Sequence, residues 1–190
     1  LYIDGQEVGT ADTSISSTGT LANTDSLFMA VDGDASTGPW IGYLDEAKIY
    51  RYARSASEIK ADAVRGSQSK GSSGSFVPDN AYMNDGLVGY WKLDESSGSF
   101  VDSSGNGTTL TPVNTPSLTI GHFFQSWVFT RASSQYAFAA DNAYLSLTGS
   151  VSISAWYYSQ QATAATQYDI AGKWDGANES YLLAQYGDEF

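Results

Sequence analysis

Polar and apolar residues alternate through residues 41–50, and this alternation predicts one long β-strand. One face carries Ile41, Tyr43, Asp45, Ala47 and Ile49, and the other carries Leu44, Glu46, Lys48 and Tyr50. Asp45 therefore interrupts an apolar row. A carboxylate on a buried face must be hydrogen-bonded, paired or bound to a metal, because burying it alone costs several kcal/mol.

Asp45 is accordingly the first candidate functional residue, and two interpretations fit it. Its carboxylate can accept backbone N–H bonds from a neighbouring loop and fix that loop. Alternatively it can be a ligand of calcium, which prefers oxygen ligands. Both interpretations stay open from the sequence.

A short helix is predicted directly after this strand. Ser55 and Glu58 have the S-x-x-E spacing of a capping box, in which each side chain satisfies a backbone amide at the start of a helix. The helix is expected to run for one to three turns and to end near Gly66.

Several other stretches predict β-structure. Strands are expected at residues 26–31, 87–93 and 150–158, and a hairpin at residues 168–173 and 181–186. Asp4-Gly5 between β-type residues is a strong signal for a tight hairpin turn. In the strand at 150–158, Val151, Ile153, Ala155 and Tyr157 share one face, and Ser152, Ser154, Trp156 and Tyr158 share the other.

Aromatic residues are concentrated between residues 119 and 138, and they are expected to supply much of the core: Phe123, Phe124, Trp127, Phe129, Tyr136 and Phe138. His122 lies among them without a Ser, Cys or carboxylate constellation beside it in the sequence. This favours a structural or surface role for His122 over that of a catalytic base.

The loop at residues 102–107 is a second candidate metal site. It is built of small residues whose carbonyls can point inward, and Asp102 and Asn106 add side-chain oxygens, which suits calcium. The alternative is a chain of Asx-turns that holds the loop together with local hydrogen bonds. The sequence does not separate the two.

Two tryptophans are candidate ligand contacts. Trp40 follows Gly38-Pro39 and is either a packing plug at the rim of the fold or an exposed stacking platform. Trp174 stands at the corner of the predicted hairpin.

Composition limits the classes of function. The 190 residues are 42% hydrophobic, rich in Tyr, Trp, Phe, Thr, Ser and Gly, and carry a formal net charge of −12. This composition predicts a globular all-β protein, and the charge argues against nucleic acid or anionic membranes as partners. The chain has no cysteine, so disulfides and thiolate chemistry are excluded, and no run of about 18 apolar residues is present to insert in a membrane.

The composition of the chain changes between residues 67 and 85, which are rich in Gly, Ser and Asn and have no hydrophobic periodicity. This stretch is predicted to be an interdomain linker. A new domain is expected to begin at Gly86, because hydrophobic periodicity resumes there.

Motifs on both sides of this linker resemble one family. GYLDEAKIY at residues 42–50 with RSASEI at 54–59, and the aliphatic Asp-Gly hairpin near the start, are similar to the closing part of the LamG-like (concanavalin A-like) jellyroll family. GYWKLDE at 89–95 and VDSSGNG at 101–107 are similar to the opening part of the same family. The resemblance implies a two-sheet antiparallel jellyroll sandwich with one short helix, incomplete or permuted.

The order of these motifs is the reverse of one domain. It predicts a tandem array, in which residues 1–66 are the C-terminal part of a first LamG-like module, 67–85 the linker and 86–190 the N-terminal part of a second module. A linker of about twenty residues spans about 22–27 Å on average. The two parts are therefore also expected to pair with each other in the isolated chain, with residues 41–50 contacting residues 87–93 and Asp45 lying near the Asp102 loop.

The resemblance further implies a non-catalytic module that binds a glycan or an extracellular protein ligand, with structural calcium, in a secreted or cell-surface protein. Neighbouring LamG-like modules are its expected partners in the same chain. The alternatives are a fragment of a concanavalin-like glycoside hydrolase and a ligand-free spacer of an adhesin. A hydrolase needs two carboxylates flanking the scissile bond, and the E-x-D-x-x-E spacing of such glucanases does not occur.

Overall fold

A computed structural model of the chain describes residues 1–9, 21–31, 39–68, 84–160, 167–174 and 179–186. In this part of the chain the strands are β1 Tyr2–Ile3, β2 Gln6–Glu7, β3 Leu27–Met29, β4 Gly42–Tyr50, β5 Leu87–Trp91, β6 Thr111–Val113, β7 Ser117–Ile120, β8 Gln125–Phe129, β9 Tyr136–Ala139, β10 Ser152–Ser159, β11 Gln167–Trp174 and β12 Glu179–Tyr186, and the α-helix is α1 Ala56–Gln68.

The long strands form two five-stranded antiparallel sheets. The first sheet has the order β10-β4-β8-β7, and β5 also pairs with β4. The second has the order β12-β11-β3-β9-β6. The protein is therefore a mostly β, antiparallel two-sheet structure with a short helix, as expected of a jellyroll sandwich.

One hydrophobic core joins the two sheets. The first sheet contributes Leu44, Ile49, Trp91, Trp127 and Phe129, and the second contributes Leu27, Met29, Ala137, Tyr168 and Ile170. The alternating strand patterns place these residues on the inner faces, where each removes its apolar area from water. One of the two faces that alternation separates at residues 151–157, formed by Val151, Ile153, Ala155 and Tyr157, packs against this cluster.

Residues on the two sides of the predicted linker pair directly. Ala47 lies opposite Trp91 and Lys48 opposite Tyr90 in the register between β4 and β5. This confirms the predicted contact between residues 41–50 and 87–93. The division into two modules stays a prediction, and residues 69–83 of the linker lie outside the described residues.

The local signals at the helix and the first hairpin are confirmed. The Ser55 amide donates to Glu58 Oε2 at 2.8 Å, and the Glu58 amide donates back to Ser55 Oγ at 3.4 Å, which is a capping box. Helix α1 ends at Gln68, two residues beyond Gly66, so the first two residues assigned to the linker are helical. The Asp4-Gly5 turn joins β1 and β2, with positive φ angles of 51° and 75° at its two residues.

The predicted face alternation of β4 is wrong beyond Asp45. Glu46 has a φ of 53°, and the register with β10 shifts between Ser154 and Trp156. At this β-bulge β4 has one residue more than β10, so the residues of β4 that follow it point to the opposite faces from those predicted. Ala47 and Ile49 consequently pack in the core, whereas Tyr43 and Asp45 lie on the outer face of the first sheet.

Candidate functional site

Asp45 is buried on the outer face of the first sheet, under the turn that joins β7 to β8. It is only 3% exposed. Its Oδ2 accepts a hydrogen bond from the Phe123 amide at 2.9 Å, while Oδ1 has no hydrogen-bond partner among the described residues. The sequence allowed two roles for Asp45, a loop anchor and a calcium ligand, and this hydrogen bond to the turn is what the loop anchor requires.

Burial changes the acidity of Asp45. The pKa of its carboxyl is raised from 3.8 to about 7, chiefly by desolvation and in smaller part by the nearby charges of Glu46 and Asp94. The hydrogen bond from the Phe123 amide opposes this rise because it stabilises the charged form. A carboxyl group therefore titrates near neutral pH beneath this turn.

The turn approaches Asp45 closely at a glycine. A Cβ on Gly121 would lie 2.6 Å from Asp45 Oδ2 and 2.3 Å from the carbonyl oxygen of Gln125. Only glycine fits without moving the turn. Gln125 is held in addition by Asp94, whose Oδ1 accepts the Gln125 amide at 3.1 Å.

The same turn carries an aromatic stack. His122 stacks on Trp156 of β10 with 3.8 Å between ring centroids and 12° between planes. Phe123 meets the edge of Trp156 at 6.3 Å and 76°. The turn thus crosses over β4 and presses its rings onto the neighbouring strand.

A second aromatic pair continues this surface along β4 and β10. Tyr43 and Tyr158 lie opposite each other in the register, with centroids 5.3 Å apart. Tyr158 is 62% exposed. We call Tyr43, His122, Phe123, Trp156 and Tyr158 the aromatic face; it presents ring surface, two phenol hydroxyls and an imidazole on one side of the sheet.

Charged residues border the aromatic face beyond the bulge. Lys48 Nζ lies 4.9 Å from the centroid of the Tyr90 ring, and the Tyr90 hydroxyl donates to Glu46 Oε2. Burial and the Glu46 charge raise the pKa of Tyr90, so its hydroxyl remains a donor throughout the physiological range. The surface therefore passes from aromatic to ionic along β4.

The loop at residues 102–107 has the Asx-turn arrangement. Asp102 Oδ1 accepts the amides of Tyr90 and Ser104 at 3.0 and 2.8 Å, and Oδ2 accepts the Ser104 hydroxyl and the Thr108 amide at 2.9 and 3.0 Å. Asn106 donates its side-chain amide to the carbonyls of Leu87 and Val88.

Each carboxylate oxygen of Asp102 accepts two hydrogen bonds, and these bonds stabilise the loop and attach it to β5. Asp102 and Asn106 therefore do not fit calcium ligands in this arrangement. Their recorded hydrogen bonds are separate from those of Asp45, and the described residues contain no group of three or more His, Cys, Asp or Glu placed to share a metal ion.

The two tryptophans proposed as ligand contacts have different outcomes. Trp40 is completely buried in the core and packs edge-on against Tyr157 at 5.6 Å, so the plug interpretation replaces the stacking platform. A ring with no exposed face cannot stack on a ligand. The side chain of Trp174 lies outside the described residues.

The aromatic segment at 119–138 only partly supplies the core. Trp127 and Phe129 are buried, but Phe124 is 84% exposed, and Tyr136 and Phe138 are only partly buried. The last two contact Phe28 on the second sheet, at centroid distances of 6.0 and 6.3 Å. Strand alternation had placed Trp156 on the face opposite to Ile153 and Tyr157, but nothing local paired it with His122, 34 positions earlier.

Comparison with known proteins gives a match for part of the chain. Residues 1–60 match the laminin G family model described as the Concanavalin A-like lectin/glucanases superfamily. No curated protein and no solved structure gave a significant match. Within the described residues no helix is long and apolar enough to cross a membrane. The resemblance of residues 86–190 to the opening of the family stays a prediction, whereas residues 1–60 are similar to a LamG-like domain of the concanavalin A-like superfamily.

Proposed function

We propose that this chain is a non-catalytic ligand-binding module whose aromatic face binds a glycan. The observation that supports the proposal is the exposed Tyr158 ring beside Tyr43. Aromatic side chains combine a large apolar surface with a polar edge, and Tyr and Trp are the residues most enriched where binding energy concentrates. A sugar ring offers the complementary surface, with C–H groups on its faces and hydroxyls around its rim.

The aromatic face is pre-organised for such a ligand. His122 and Trp156 are stacked on each other, and the turn that carries His122 is held by Asp45. Less side-chain freedom is lost on binding when rings are already fixed, so more of the contact energy appears as affinity. Lys48 and Glu46 at the border of the face would supply hydrogen bonds to sugar hydroxyls.

The competing function is glycoside hydrolysis, and Asp45 is the residue that suggests it. A general acid needs a pKa near the working pH, and the pKa of Asp45 is raised to about 7. However, Asp45 is 3% exposed and covered by the 121–123 turn, so a substrate cannot reach it in this arrangement. We therefore propose a binding role. If the protein releases reducing sugar from a polysaccharide and Asp45→Asn abolishes that activity, the proposed binding role is wrong and the protein is a glycoside hydrolase.

Two further elements of the proposal come from the family. LamG-like domains are typically extracellular, which supports a secreted or cell-surface location. Structural calcium is proposed only at Asp45, whose Oδ1 lacks a donor. Calcium should then raise the melting temperature of the wild type by mass action and leave Asp45→Asn unchanged. Equal melting temperatures of the wild type in calcium and in chelator would remove calcium from the proposal.

The decisive experiment is glycan-array binding followed by calorimetric titration of the best glycan. Tyr158→Ala should weaken binding about 30-fold if this ring contributes about 2 kcal/mol, the usual threshold of a binding hot spot. Tyr144→Ala is the matched control, because Tyr144 is 50% exposed and lies outside the aromatic face. Absence of glycan binding would favour the spacer alternative, and equal losses in the two variants would refute this location of the site.

A further inference from the structure

The N-terminal segment, residues 1–68, supplies an internal strand to each of the two five-stranded sheets. Strand β4 lies between β10 on one edge and β8 with β5 on the other. Strand β3 lies between β11 and β9. Every one of these neighbours comes from residues 84–186, the C-terminal segment.

From this topology we propose that residues 1–68 are an exchangeable strand donor. They complete the sheets of their own C-terminal segment, and in a second copy of this chain they complete that copy's C-terminal segment in the same way. The proposal concerns assembly between copies and is independent of glycan binding.

The C-terminal segment is incomplete without these strands. Removing β3 and β4 would open the facing edges of five strands, β5, β8, β9, β10 and β11. It would also empty the core of Leu27, Leu44 and Ile49, which are at most 1% exposed. Unpaired edges beside an open apolar core are a template for a strand from another chain.

The contacts between the two segments are all noncovalent and do not depend on chain continuity. The Arg54 amide donates to Ser152 Oγ at 2.9 Å, and the Arg51 amide donates to the Gly86 carbonyl at 2.8 Å. The chain has no cysteine to lock the segments together. A donor from another copy can therefore make the same contacts, which is the condition for domain swapping.

Chain connection decides which donor is used. Residues 69–83 join the end of α1 to the start of β5, and a linker of this length gives an effective concentration on the order of millimolar. A dilute wild-type protein should therefore use its own donor. The exchange becomes visible when a copy's own donor is defective.

Two full-length variants test the exchange. Leu44→Asp places a charge in the core of the donor, and Trp127→Asp places one in the core of the C-terminal segment, so each variant alone should fail to fold. In a refolded 1:1 mixture, the intact donor of the Trp127→Asp chain should complete the intact C-terminal segment of the Leu44→Asp chain. We expect near-UV circular dichroism to return and a heterodimer to appear in sedimentation.

The matched control mixes Leu44→Asp with Ile49→Asp. Both donors are then defective, and no rescue is expected. If the test mixture has no more folded signal than the sum of its two components, or if the control mixture is rescued equally, the strand-exchange proposal is refuted. If either variant folds alone, Trp91→Asp and Leu27→Asp provide a second pair with the same logic, since both residues are completely buried.

Discussion

Asp45 should make the stability of this protein fall as the pH rises from about 4 to about 7. The pKa of its carboxyl is about 7 in the folded protein, against 3.8 for an unperturbed group. Between these two pH values the folded state retains a proton that the unfolded state has lost. The free energy of unfolding therefore decreases with rising pH in this window and is constant outside it as far as Asp45 is concerned.

The size of the effect follows from the difference in pKa. About three pKa units at 1.36 kcal/mol each give a ceiling of about 4 kcal/mol between pH 4 and pH 7. Asp45→Asn keeps a neutral side chain of the same shape, and its oxygen can still accept the Phe123 amide. The variant should match the wild type near pH 4 and be more stable than it by up to about 4 kcal/mol at pH 8.

Urea unfolding of both proteins from pH 4 to pH 8.5, in chelator, measures this difference directly. Taking the difference between variant and wild type removes the titration of all other groups. Glu7→Gln, which neutralises an exposed carboxylate on β2, controls for the change in net charge. A difference between Asp45→Asn and wild type that does not vary with pH would refute the assignment of a neutral, buried Asp45.

Three further substitutions test the packing and the loops. Gly89→Ala should cost about 1–3 kcal/mol of stability, because the added Cβ would lie 2.3 Å from the Trp91 ring. Gly149→Ala is the control, since nothing lies within 4 Å of a Cβ at that position. Equal urea midpoints for the two variants would contradict this packing. Asp102→Ala leaves four donors without their acceptor. The substitution should lower the melting temperature strongly, because each unsatisfied buried donor costs about 1–3 kcal/mol. An unchanged melting temperature would show that the loop does not depend on the Asp102 carboxylate. Ser55→Ala should lower the free energy of unfolding by about 1 kcal/mol through loss of the helix cap, and no change in thermal unfolding would contradict that role.

The elements that sequence reasoning predicted correctly depend on neighbours along the chain. The capping box at Ser55 spans three residues, and the Asp4-Gly5 turn needs only two residues that tolerate positive φ. The inner row of β10 follows from simple alternation. Such patterns are visible in the sequence because their energetics are local.

The position of Asp45 shows where local reasoning stops. Its alternation with Ala47 and Ile49 predicted a single face, but the bulge at Glu46 separates them. A β-bulge arises from the pairing with β10 on one side and the change of partner from β8 to β5 on the other, and these partners are remote in sequence. The sequence identified Asp45 as important but could not say which face it occupies or what covers it.

Burial and the pairing of side chains were decided only by the tertiary structure. The sequence allowed Trp40 to be either a plug or a platform, and the packing of the two sheets buried it completely. His122 meets Trp156 only because the turn between β7 and β8 crosses β4 to reach β10. Sequence alone determined strands β4 and β10, the Asp4-Gly5 turn and the start of the helix, since backbone propensity and periodicity are properties of neighbouring residues, but it did not delimit strands β6 to β9. The aromatic face could not be predicted from the sequence, because its rings come from strands that are distant in the chain and are brought together only by the order of the strands in the sheet.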